Sequence, residues 1–92
     1  MTKIVTREEF DQAVEAIWGE LEYQNELRRR TKDEANNIPG FTSLMNVYVR
    51  KTEEDFAMLP TNEPALHGLR KMAGIAIRGM VYCGVRRRGD AG

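Results

Sequence analysis

Cysteine and histidine occur once each in the 92 residues. A single cysteine rules out an intrachain disulfide. Cys83 sits among apolar neighbours and reads as a small buried hydrophobe. His67 has no second imidazole or thiolate near it in sequence, so no zinc pattern is present and a structural or solvent-exposed role is expected. The chain also lacks a glycine-rich phosphate loop and any serine or cysteine nucleophile motif. Long uncharged apolar runs are missing. The most apolar stretch is interrupted by Arg70, Lys71 and Arg78, so no membrane span is expected. The N-terminus is charged and has no apolar segment, so no signal peptide is expected and the expected location is cytoplasmic. Charge of one sign is lacking too. Fourteen basic and fourteen acidic residues cancel, which argues against general nucleic-acid binding.

The charge that is present is unevenly placed. Residues 1–27 carry two basic and seven acidic groups, whereas residues 63–92 carry six and two. Opposite ends of this kind attract each other within one chain or between two copies. A chain this short buries a modest core, and self-association is a common way to bury more, so a homo-oligomer is expected.

Apolar periodicity predicts three helices in a single all-α domain spanning 1–92. The first covers about 7–28. Thr6 and Glu9 form a capping-box pattern, and Phe10, Val14, Ile17 and Leu21 mark its apolar face. Arg28, Arg29 and Arg30 close it at the negative end of the helix dipole. Residues 31–40 are polar, end in Pro39-Gly40, and read as a loop. The second helix covers about 43–59, capped by Thr42 or Ser43, with Met45, Val49, Phe56 and Leu59 on one face. A short strand over residues 45–49 is the competing reading there, because Val and Tyr favour strands. Pro60 ends this helix.

The third helix, about 63–83, organises the chain. Asn62 is its expected cap and Gly84 its expected terminator. Leu66, Leu69, Ala73, Ala76, Met80 and Cys83 recur at steps of three and four and form an apolar seam. Met72, Ile75 and Ile77 widen it, so the helix is expected at the centre of a bundle. Gly68, Gly74 and Gly79 each cost about 1 kcal/mol relative to alanine in a helix interior, which predicts close packing against that backbone. The tail 85–92 is polar and expected to be mobile.

Two clusters could carry chemistry. Glu53, Glu54 and Asp55 form an acidic run that reads either as a solvated face or, with Glu20 and Glu22, as a magnesium site. On the third helix, Arg70, Lys71 and Arg78 lie near Tyr82. Cations beside an aromatic ring suit a phosphate and a stacked base, or else pair with the acidic first helix.

The pieces Glu20–Gln24 (ELEYQ), Glu53–Phe56 (EEDF) and Glu63–Gly84 (EPALHGLRKMAGIAIRGMVYCG) resemble small phage and prophage proteins related to MazG-type nucleotide pyrophosphohydrolases. The resemblance covers roughly residues 15–88. It implies a three-helix MazG-like bundle completed by homo-oligomerisation, and Mg²⁺-dependent cleavage of nucleoside triphosphates. The family's metal-binding pattern is a Glu-Glu-x-x-Glu run followed by a Glu-x-x-Asp pair on the next helix. Glu53 and Glu54 match the first two positions, Ala57 falls on the third, and the next helix carries Arg70 and Lys71 without an aspartate. The resemblance with these departures implies an oligomer that binds a nucleotide or cyclic nucleotide through Arg70, Lys71, Arg78 and Tyr82 without hydrolysis and without a cofactor. A phage protein that sequesters a host defence signal is one such role. The alternatives are a Mg²⁺-dependent pyrophosphohydrolase with Glu20, Glu53 and Glu54 on the metal, and a protein-interaction module.

Overall fold

The computed structural model describes residues 4–27 and 30–89, the side chains of 30–32 excepted. Among them are four helices and no strand: α1 (Arg7–Glu26), α2 (Arg30–Ala35), α3 (Ile38–Met58) and α4 (Asn62–Cys83). The all-α expectation holds, and residues 45–49 are helical.

α1 begins where the sequence places it. Thr6 Oγ1 accepts from the Glu9 backbone N–H at 3.1 Å, and Glu9 Oε1 accepts from the Thr6 N–H at 3.0 Å. The helix ends at Glu26. Arg28 and Arg29 lie outside the described residues, and Arg30 begins α2 rather than closing α1. The segment read as a loop therefore contains one short helix and the start of a long one. Asn37 caps α3, its Oδ1 accepting from the Gly40 N–H at 2.9 Å. Pro39 occupies the first turn of α3, where its missing N–H costs nothing. That displaces the expected start at 43. Thr61, not Asn62, is the N-cap of α4, and it makes no side-chain capping bond. Gly84 ends α4 at φ 123°, a backbone angle that disfavours other residues. Residues 85–89 add no helix, and 90–92 lie outside the described residues.

α4 is the hub, in contact with α1, α2 and α3. α1 runs parallel to it, since Glu20 bonds Arg70 and Gln24 packs on Gly74. α3 runs antiparallel, with Thr52 against Gly68 and Phe41 against Gly79. The expected close packing at glycine occurs. A Cβ at Gly68 would collide with Thr52 Oγ1, and one at Gly74 would meet Gln24 Nε2 at 3.0 Å.

The face of α4 that faces the chain's own core is not the apolar seam. Gly74, Ile75, Arg78 and Gly79 are buried, whereas Leu66, Leu69, Met80 and Cys83 are exposed. The expectation of a buried Cys83 is overturned because α1 and α3 approach α4 on its glycine-lined side. α3 likewise turns inward Phe41, Leu44, Tyr48 and Thr52, and leaves Val49, Phe56 and Leu59 exposed. Among the described residues, Phe41 at 3% and Ile75 at 2% exposure are the buried hydrophobic ones, and Glu20, Gln24, Asp33 and Arg78 are buried polar ones.

Candidate functional site

The buried polar residues gather along one side of α4. Glu20 and Gln24 are one turn apart on α1 and point together at α4. Gln24 Nε2 donates to Glu20 Oε2 at 2.7 Å, and Arg70 Nε donates to Glu20 Oε1 at 3.0 Å. Arg70 Nη1 also reaches His67 Nδ1 at 2.8 Å, and the imidazole nitrogen accepts. His67 is exposed, as one of its expected roles required. Two turns further along α4, Arg78 Nη1 donates to both carboxylate oxygens of Asp33 at 3.0 Å. This pair fastens α2 to α4.

Between α1, α3 and α4 lies a cavity of about 90 Å³, whose walls include Tyr23, Gln24, Tyr48, Lys71 and Arg78. Two buried polar atoms among its lining residues, Gln24 Oε1 and Arg78 Nε, have no hydrogen-bond partner among the described residues. A buried donor or acceptor left unpaired costs about 1–3 kcal/mol. Lys71 Nζ sits 5.5 Å from the centre of the Tyr48 ring. Such a contact attracts a cation to the ring face without neutralising it. Among the described residues no carboxylate pairs with Lys71. Lys71 also borders an open groove of about 550 Å³ with Ala16, Gly19, Glu20, Tyr23 and Arg70. The inner cavity and the outer groove share Lys71, Tyr23 and Glu20.

The four residues expected to bind ligand thus occupy different positions. Lys71 and Arg78 line the inner cavity, and Arg70 and Lys71 line the groove. Tyr82 is half-buried and lines neither. The expected alternative, pairing with the acidic first helix, is realised for Arg70 through Glu20. Gln24, Tyr23, Tyr48 and Asp33 were not singled out by the sequence. The stagger of Glu20 and Gln24 at one helical turn was the visible signal for the first of these.

The carboxylates of the magnesium alternative are apart. Glu20 is held by Arg70 and Gln24, Glu53 and Glu54 are exposed, and Asp55 lies 3.7 Å from Lys51. Among the described residues no group of three His, Cys, Asp or Glu side chains is placed to hold a metal. Nor is any described helix long and apolar enough to cross a membrane.

No protein family, curated protein or solved structure matches this chain.

Proposed function

We propose that the chain binds an anionic, nucleotide-type small molecule without hydrolysing it, as a MazG-like helical homo-oligomer. The observation that carries this reading is the Lys71 ammonium, over the Tyr48 ring and without a carboxylate among the described residues, beside a cavity with an unpaired buried acceptor and donor among those residues in Gln24 Oε1 and Arg78 Nε. Such a site calls for a ligand that brings negative charge to Lys71 and both hydrogen-bonding senses to the interior. A phosphate supplies the first and a nucleobase edge the second.

Pockets for small molecules typically measure about 300–1,000 Å³. The inner cavity alone is too small, so the ligand extends into the groove beside Arg70 and Lys71. Arg70 and Arg78 keep their carboxylate partners and act as positioning residues, and Lys71 is the charge the ligand meets. Sequestration of a phage host's nucleotide signal in the cytoplasm is a role consistent with binding that lacks turnover. Calorimetry against mono-, tri- and cyclic nucleotides tests the proposal. Heat with at least one of them, lost in Lys71→Ala, supports it, together with no pyrophosphate release in Mg²⁺. Absence of heat with every member of the panel overturns it.

A second reading, a protein-interaction module, is favoured by exposed apolar residues on α1 and α4.

A further inference from the structure

The apolar seam of α4 faces away from the chain's own core, and α1 does the same with its best apolar residues. Phe10, Val14 and Trp18 on α1 are exposed, as are Leu66, Leu69 and Met80 on α4; Trp18 stands at 54% and Leu69 at 56%. The two helices run parallel, with Glu20 beside Arg70 and Gln24 beside Gly74. At 100° per residue, this alignment carries Phe10, Val14 and Trp18 to the same side of the helix pair as Leu66, Leu69 and Met80. The lysine-lined groove opens on the other side, through Tyr23 and Lys71. None of the six residues is charged, and exposed apolar faces mark interaction sites.

We infer that the α1–α4 face is where a second copy of this chain docks, the same face on both protomers about a two-fold axis. This specifies the self-assembly part of the reading above and leaves its ligand-binding part aside. The surface area argues for this occupant. A monomer of 10.5 kDa is expected to expose about 5,400 Å², whereas this chain exposes 7763 Å². The non-helical residues 4–6 and 85–89 add to the difference. A standard interface removes about 800 Å² from each partner, and obligate homodimers remove more. The surplus accommodates such an interface, and the small in-chain core of Phe41 and Ile75 leaves the stability of the fold in need of one. An isologous pairing stacks four helices in two layers and places the cavity of each protomer on the outside of the dimer.

Sedimentation equilibrium on the full chain at micromolar concentration tests this. The wild type is expected as a dimer or a closed multiple of it. Trp18→Glu and Leu69→Glu each weaken association by about a hundredfold, as charges at the centre of an interface do. Val47→Glu, on the polar face of α3, leaves the mass unchanged, and so does Lys71→Ala, which removes the cavity cation. The latter keeps a failure of ligand binding distinct from a failure of assembly. Trp18 emission supplies a readout that does not depend on the variants folding: it shifts to the blue as wild-type concentration rises through the dissociation constant. A wild-type monomer with concentration-independent Trp18 emission overturns the inference, as does a Trp18→Glu or Leu69→Glu protein of unchanged oligomeric mass, or dissociation by Val47→Glu.

Discussion

Glu9 shows how a single residue sets the beginning of the fold. Its carboxylate accepts the Thr6 backbone N–H, and that bond, followed by the Thr6 hydroxyl contact, lowers its pKa below the usual 4.5. A depressed carboxylate pKa contributes stability that is present above the unfolded-state value and lost as pH falls through the folded-state value. An NMR titration of the side-chain carboxyl is therefore expected to find Glu9 below 4.5. The Thr6 amide shift should follow the same curve. A Glu9 titrating at the ordinary value would contradict the capping geometry. This cap was legible because all its parts lie within four residues. Glu20, Gln24 and Arg78 were not legible as interior residues, because charged and amide side chains are ordinarily exposed and the ion-pair partners of Glu20 and Arg78 stand 50 and 45 residues away.

Among the elements, α2 is fastened to α4 by the Arg78–Asp33 pair. Arg78 and Asp33 are both buried, and removing one partner of a buried pair leaves the other charge uncompensated. Asp33→Ala is expected to destabilise the fold by about 3–5 kcal/mol. Chemical denaturation measures this, and a loss within experimental scatter of zero would remove Arg78 as the anchor of α2. The α3–α4 contact makes a different prediction. Gly68→Ala improves helix propensity by about 1 kcal/mol, but its methyl would collide with Thr52. Thr52 is itself tied back, its Oγ1 donating to the Tyr48 carbonyl at 2.6 Å. Overpacking of this kind costs about 1–3 kcal/mol, so a net loss in melting temperature is expected; a gain would mean that Thr52 moves freely. The three long helices were legible from their periods and punctuation. The short α2 was not, because five polar residues and one alanine carry no apolar period and their helix is tied to a distant arginine. The early start of α3 was hidden by Pro39-Gly40, a pair that reads as a turn yet is compatible with a first helical turn.

For the whole molecule, the hub position of α4 was legible and the use of its faces was not. Periodicity identifies an apolar seam, but it does not say whether the chain's own helices or another molecule covers it. Here the glycines decide: α1 and α3 settle on the side where Gly68 and Gly74 let them come close, and the larger apolar residues remain outside. The cations of α4 consequently face a polar interior with Tyr48, Gln24 and Glu20, where Lys71 alone lacks a carboxylate among the described residues. That arrangement is the central claim. Amide and side-chain chemical-shift mapping with the nucleotide panel tests it most directly, because it both detects weak binding and locates it. The account predicts the largest shifts at Glu20–Gln24, Tyr48, Lys71 and Arg78; shifts confined to other residues, or none with any nucleotide, would contradict it.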